Sequence, residues 1–442
     1  MVQARRNLVV GLGKTGLSAA RWLSARGEVV MATDSRAAPP CIAEIKKIHQ
    51  ISAVHVGAFD LELLDHTDRM VLSPGVSSRE PIVQSAQARG IPVVGDIELF
   101  ATAGVSPVVG ITGTNGKSTV TTLVAEMARG HGLNAVAGGN LGEPALNLLN
   151  EPKPDLYVLE LSSFQLESTY TLSLAVAAVL NVTPDHMDRY ESLETYASAK
   201  ARIFSNAKVA VLNLDDPAVA DMAVGLEHVT TFSLTSPNAA WRVSEYGGAS
   251  WIVGKERPII RLSELKLAGT HNVANALAAL AIGNHLGLSM DSMLLVLKSF
   301  PGLPHRSEWV TEYKGVRFID DSKGTNVGAT LAAVAGFSEP LVVIAGGDGK
   351  SQDFTPLAAA FKNRVRHAVL IGRDRERIAG VLSDVCSVEF AADMPTAVAA
   401  AAKAAQPGDS VLLSPACASF DMFRDYAHRG EEFAAAARRL NS

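Results

Sequence analysis

The sequence predicts an α/β chain of three domains, and three observations carry that prediction. Short apolar runs that break into glycine and then into a helical pattern recur, as in Asn7-Leu8-Val9-Val10 before Gly11 and Val108-Val109-Gly110-Ile111-Thr112 before Gly113. Strands alternating with helices build parallel sheets covered by helices. A chain of 442 residues also exceeds what one hydrophobic core supports. Finally, Phe300-Pro301-Gly302-Leu303-Pro304 is a proline-glycine break between units. The expected division is a Rossmann-like domain over residues 1–96, a central domain over 97–302 with a mostly parallel sheet plus a small antiparallel one, and a Rossmann-like domain over 303–442.

Composition narrows the class. With 48% hydrophobic and 19% charged residues the chain reads as a soluble globular protein. A formal net charge of −5 argues against broad attraction to nucleic acid or membranes, so an anionic ligand must be held by local cations. No apolar run reaches the roughly 18 residues of a membrane span. Arg5 and Arg6 precede an apolar stretch cut by Gly11, Gly13 and Gly16, which is no secretory signal. Three scattered cysteines, Cys41, Cys386 and Cys417, form neither a disulfide framework nor a zinc pattern and suit a reducing cytoplasm. A cytoplasmic monomer is expected.

In the first domain the strand at Asn7 runs into Gly11-Leu12-Gly13-Lys14-Thr15-Gly16 and a helix through Ala25. The next strand ends at Asp34, 18 residues beyond Gly16, which is the form of a dinucleotide fingerprint. The same glycines also serve plain packing. The functional alternative is a pyrophosphate on the turn with Asp34, Ser35 or Arg36 near a sugar or base. A third strand is expected at Arg69-Met70-Val71-Leu72, leading into the loop Ser73-Pro74-Gly75-Val76.

The central domain opens on Gly113-Thr114-Asn115-Gly116-Lys117-Ser118-Thr119, a phosphate-binding loop between strand and helix. Such a loop aims backbone N–H groups and a helix N-terminus at one point. Lys117 is suited to the terminal phosphates and the Ser118 hydroxyl to Mg²⁺. The strict pattern needs glycine where Ile111 stands. Ala137-Gly138-Gly139-Asn140-Leu141-Gly142 is a polar loop, and the following strand, Leu156-Tyr157-Val158-Leu159-Glu160-Leu161, carries a carboxylate. Burying it costs several kcal/mol unless it is paired or metal-bound, so Glu160 reads as a metal-side acid. Another strand ends in Thr183-Pro184-Asp185-His186, which offers His186 to a metal or phosphate. Lys200 lies on a helix, where its residue type alone reads as a solvated lysine. Residues 230–260 suggest antiparallel strands. Asn272 and Asn275 lie three apart near a helix start; capping explains one, and amides aimed at a base explain both.

In the third domain, strands end in Asp320-Asp321-Ser322-Lys323-Gly324-Thr325-Asn326, Gly346-Gly347-Asp348-Gly349-Lys350, Gly372-Arg373 and Ser414 through Ser419-Phe420-Asp421. Four polar loops at one sheet edge read as a site. Arg306, Lys323 and Lys350 there, with Lys117, Glu160 and His186, suit anionic reactants that repel each other, such as ATP and a carboxylate. Phosphorylation would make the carboxylate an acyl phosphate that an amine can attack.

Taken together these motifs resemble the Mur ligase family, ATP-dependent amide-forming enzymes of peptidoglycan synthesis. Residues 113–119, Glu160 before Ser162-Ser163, 181–186, Lys200, His271-Asn272 with Asn275, and His305-Arg306 stand in family order over nearly the whole chain. Within the family, residues 321–326 and 414–421 are similar to the member that adds D-glutamate; sister enzymes have histidine- or tyrosine-containing motifs where Lys323 stands. The resemblance implies a first domain that binds the UDP part of UDP-N-acetylmuramoyl-L-alanine through Lys14, Thr15, Asp34, Ser35, Arg36 and Ser73. It implies ATP on Gly113, Thr114, Asn115, Gly116, Lys117, Ser118 and Thr119, with adenine near Asn272 and Asn275 and with Arg306 and Asp321 also in contact. Mg²⁺ would be held by Ser118 and Glu160 and, at a second position, by His186 with Lys200, whose family equivalent is N-carbamylated. Asn140 and His186 would meet the muramoyl substrate, and Lys323, Thr325, Lys350, Ser419 and Phe420 would hold D-glutamate. The resemblance thus gives catalytic roles to Lys117, Glu160, His186, Lys200 and Lys323. The sequence departs from it at Phe420 and Tyr426, where leucine and phenylalanine are usual.

Three other functions fit parts of the pattern. A folylpolyglutamate synthase-like ligase shares the phosphate loop but not the Lys323 motif. A nucleotide-switch module has no use for Glu160 and His186. An NAD dehydrogenase leaves the phosphate loop unexplained. Cations on one domain and the phosphate loop on another also predict closure about a hinge at residues 301–304.

Overall fold

Three sheets organise the chain in the computed structural model, which describes residues 4–104, 107–149, 152–267 and 269–441. The first sheet is parallel, in the order Ile51–Val56, Val29–Asp34, Arg6–Val10, Arg69–Leu72, Val93–Val94. Its middle strands are near-continuous apolar runs because helices cover both faces. Arg69–Leu72 is therefore the fourth strand in sequence, not the third. Ile51–Val56 escapes the sequence pattern because this edge strand, with Ser52 and His55, is only partly buried.

The central sheet has nine strands, in the order Arg257–Arg261, Ala249–Gly254, Trp241–Tyr246, Val229–Ser233, Ala210–Asn213, Val176–Val179, Val108–Thr112, Leu156–Glu160, Ala135–Gly139. The expected antiparallel strands exist, and they continue the parallel sheet: Val229–Ser233 pairs in parallel with both neighbours before two antiparallel pairings follow. The tight hairpin at Gly247-Gly248 needs both φ angles positive, 59° and 77°. The third sheet runs Glu308–Tyr313, Val316–Asp320, Ser410–Leu413, Leu341–Gly346, Val365–Ile371, Ser387–Phe390, with an antiparallel pair at one edge.

Core packing divides the molecule unequally. One apolar cluster joins Leu12 and Leu23 of the first domain through Phe100 to Tyr157, Leu159 and Val179 under the central sheet. The other face of that sheet packs Val109, Ile111 and Leu123 against Leu277 and Leu280. The third domain has separate cores on its two faces. Cys41 and Cys417 are buried and Cys386 is half-buried. Among the described residues no helix is long and apolar enough to cross a membrane.

Candidate active site

Val108–Thr112, buried throughout, is the strand from which the phosphate loop leaves, and the helix Lys117–Gly130 receives it. Gly116 has φ 84°, and a Cβ there would stand 2.4 Å from Asn275 Oδ1, so the loop depends on glycine at this point. The end of the neighbouring strand fixes the loop. Thr114 N–H donates to Asn181 O at 2.9 Å, and Asn115 N–H donates to Asn181 Oδ1 at 2.8 Å.

Glu160 enters from the next strand as expected and is not left unpaired. Ser118 Oγ donates to its Oε2 at 2.6 Å and Asn140 Nδ2 to its Oε1 at 2.7 Å. Burial opposes its ionisation, but Lys117, these two hydrogen bonds and Arg306 outweigh burial and lower its pKa. Arg306 reaches across from the third domain and donates from Nη2 to Ser118 Oγ at 2.7 Å. The turn that projects it is braced by His305, whose Nδ1 lies 2.7 Å from Asp320 Oδ2; that bond raises the pKa of His305. Lys117 Nζ donates to Gly113 O and Thr114 O at 2.9 and 2.8 Å.

Lys200 is not a solvated lysine. The helix Leu193–Ala201, started by a capping box on Ser192, turns it inward until it is 1% exposed. Its Nζ donates to Gly113 O at 2.8 Å and lies 4.3 Å from the centre of the Tyr196 ring. Burial, then the charge of Lys117, pushes its pKa well down, which favours a neutral amine. His186 has φ 58° and packs its ring edge against Phe164 at 4.9 Å. Burial pushes it down to about 4, with Lys350 and Lys117 adding to the effect and Asp185 opposing.

The third domain closes over this floor. Asn326 and Asn115 exchange side-chain hydrogen bonds at 3.1 and 3.3 Å, and Lys350 Nζ stands 3.6 Å from Asp185 Oδ1. Two adjoining cavities result. A nucleotide-side cavity of about 270 Å³ is lined by Asn115, Gly116, Thr119, Asn272, Asn275, Arg306, Asp321 and Lys323. A reaction-side cavity of about 410 Å³ is lined by Thr114, Lys117, Ser118, Asn140, Glu160, His186, Lys200, Arg306, Lys323, Thr325, Lys350, Ser419 and Phe420. Capping accounts for neither Asn272 nor Asn275, since Gly269 is the N-cap and Asn275 Nδ2 donates to Asn272 Oδ1 at 3.2 Å. Ser419 is buried, whereas Phe420 is 73% exposed at the cavity's edge. Asp321 accepts from Ser414 Oγ and Ser307 N–H, and burial pushes it up to about 7.

The first-domain candidates are not part of these two cavities. Lys14, Thr15, Ser35, Arg36 and Ser73 sit at the carboxyl edge of their own sheet. Asp34 is buried and fully engaged: it accepts from Leu12 N–H at 2.7 Å and from the Arg36 guanidinium at 2.7 and 2.9 Å. It orders the glycine turn instead of standing solvated. Ser73 Oγ donates to Gly11 O at 2.7 Å. The loop after Ser73 is tied to the central domain by Arg189, which donates to Pro74 O and Val76 O. Arg189, Tyr196 and Asn326 were not singled out as site residues in the sequence. Asn326 ends the run that contains Lys323 and Tyr196 precedes Lys200 by one helical turn, so both had a local signal; Arg189 had none.

Ser118 and Glu160 present hard oxygen donors side by side, which fits a Mg²⁺ ion. His186, held neutral, fits a second ligand position.

Comparison with known proteins identifies the family. The MurD-like N-terminal domain model of the Mur ligases matches residues 5–95, the Mur ligase middle domain residues 111–283, and the Mur ligase glutamate ligase domain residues 305–417. The UDP-N-acetylmuramoylalanine–D-glutamate ligase of Nitrosococcus oceani is 49% identical over 99% of this chain and 98% of its own. The enzyme of the same name from Marinobacter nauticus is 48% identical, covering 98% of each chain. In three dimensions the UDP-N-acetylmuramate-alanine ligase of Thermotoga maritima aligns with TM-score 0.64 at 18% identity, over 98% of this chain and 99% of its own, which shows a shared fold. With three family domains in order and near-half identity across its length, the chain belongs to the Mur ligase family.

Proposed function

We infer that the protein is an ATP-dependent ligase that joins D-glutamate to UDP-N-acetylmuramoyl-L-alanine, giving ADP and phosphate, in the cytoplasmic stage of peptidoglycan synthesis. Near-half identity over full length to ligases of that name supports the reading. The single structural observation that carries it is one cavity shared by two domains, with Lys117, Ser118 and Glu160 on its floor and Arg306, Lys323 and Lys350 on its roof. A second cationic wall suits the joining of two anionic substrates to ATP, whose mutual repulsion it offsets.

An oxygen of the alanine carboxylate attacks the γ-phosphorus and ADP leaves, forming an acyl phosphate. The neutral amine of D-glutamate then attacks the acyl carbon, the amine proton is lost, and phosphate departs. Catalysis is mainly positioning and charge neutralisation. In this reading ATP lies on residues 113–119, with adenine near Asn272 and Asn275 and with Arg306 and Asp321 alongside. Lys14, Thr15, Asp34, Ser35, Arg36 and Ser73 serve the UDP end, and Asn140 and His186 the muramoyl end. Lys323, Thr325, Lys350, Ser419 and Phe420 serve D-glutamate. Ser118 and Glu160 would hold Mg²⁺, and His186 with Lys200 as its carbamate would hold a second ion; bound there, the ions would neutralise charge on the phosphates. A pKa of about 4 makes His186 a poor base and suits it to neutral ligation. Lys200, buried and favoured as a free amine, is suited to adding CO₂ to form a carbamate with release of one proton. Intact-mass spectrometry in bicarbonate should find the adduct on wild type and not on Lys200→Ala; no adduct on wild type removes the carbamate from the account.

The reaction itself is tested by phosphate release. It should require both UDP-N-acetylmuramoyl-L-alanine and D-glutamate, and release without D-glutamate would sink the reading.

A further inference from the structure

Lys323 is held at its backbone and left to the cavity at its tip. Its N–H donates to His305 O at 3.0 Å, and Thr325 N–H donates to its carbonyl at 2.8 Å. Among the described residues no hydrogen bond or ion pair takes its ammonium. The charged groups that act on that ammonium are mostly cations, Arg306, Lys117 and Lys350, with Glu160 opposing them. Burial, reinforced by those cations, pushes the lysine down to about 8. A half-buried ammonium in such company needs a favourable neighbour, and one is present. Nζ lies 3.8 Å from the centre of the Tyr426 ring.

The ring is itself firmly set. Tyr426 opens the helix Tyr426–Arg439, capped by Asp425 onto His428 N–H at 2.9 Å. Its carbonyl accepts from Ser322 Oγ at 2.7 Å, one residue before Lys323, and its ring meets the His305 ring edge-on at 6.2 Å. The ring and the lysine are thus fixed by the same loop. A π face attracts the ammonium without supplying an acceptor oxygen, whereas a carboxylate partner would take one or two of its three N–H donors.

We propose that Tyr426 is a positioning residue for the amino-acid acceptor: its ring face carries the Lys323 ammonium and leaves its N–H donors directed to an acceptor carboxylate. This rests on the ligase reading above. The phenol oxygen is not needed for that task, so the face of the ring is what the experiment must vary.

The test replaces Tyr426 by phenylalanine and by mono-, di- and trifluorinated phenylalanines, which weaken the ring face while nearly keeping its shape. Tyr426→Phe should stay within about twofold of wild type, and KM for D-glutamate should climb stepwise with fluorination by on the order of tenfold overall. KM for ATP should stay constant, a split that mere loosening of the helix would not give. Tyr426→Leu is the aliphatic end point; if it does not fold, the fluorinated series decides alone. A flat D-glutamate KM, or equal rises for D-glutamate and ATP, overturns the proposal. A wild type whose phosphate release ignores D-glutamate overturns the ligase reading and this proposal together, whereas a dependent wild type with a flat series overturns this one only.

Discussion

Asp321 sits inside the wall of the nucleotide-side cavity, where burial pushes its carboxyl up to about 7 from an ordinary 3.8. The native state therefore holds this proton more tightly than the unfolded chain does. Its contribution to stability is full below the unfolded value and is lost as pH rises through about 7. In ligand-free protein, denaturant unfolding between pH 5 and 7 should show wild type losing on the order of 1.4 kcal/mol per pH unit from this group. Asp321→Asn should lack that component, and parallel profiles for the two proteins would contradict the assignment. Single residues differed in how openly they announced themselves. Glu160 was legible because a carboxylate inside an apolar strand demands partners, and it has Ser118 and Asn140. Lys200 was legible only through resemblance, since nothing in a short helix with little amphipathic character says which face turns inward.

At the scale of elements, the phosphate loop is the piece most sensitive to one change. Gly116→Ala would put a Cβ 2.4 Å from Asn275 Oδ1 on a residue with φ 84°. Left-handed strain of roughly 1–2 kcal/mol is expected there, together with displacement of Asn275. Calorimetric titration should find ATP affinity reduced at least about tenfold with the fold retained; wild-type affinity would contradict the role given to this turn. The buried parallel strands were readable as apolar runs ending in glycine, because burial on both faces leaves no polar alternation to confuse them. Ile51–Val56 was not, since an edge strand with Ser52 and His55 lacks both patterns. The continuity of the antiparallel strands with the central sheet depends on the pairing of Phe232 with Trp241, a contact that no local pattern encodes.

For the whole molecule, the decisive asymmetry is in what joins the domains. The first and central domains share an apolar core through Phe100. The third meets the phosphate loop through polar contacts, Arg306 on Ser118 and Asn326 on Asn115, which can form and break as ligands come and go. The three-domain plan was legible from the repeated strand-glycine-helix units, and the candidate residues mostly were too. Their convergence was not, because Asn115 and Asn326 are 211 positions apart and no local period connects them. In the proposed function, the third-domain cations over the phosphate loop direct the γ-phosphoryl group of bound ATP to a carboxylate and not to water. That claim is tested most directly with UDP-N-acetylmuramoyl-L-alanine labelled with ¹⁸O in the alanine carboxylate. After turnover with ATP and D-glutamate, mass spectrometry should find one labelled oxygen in the released phosphate; phosphate free of label would contradict transfer through the carboxylate.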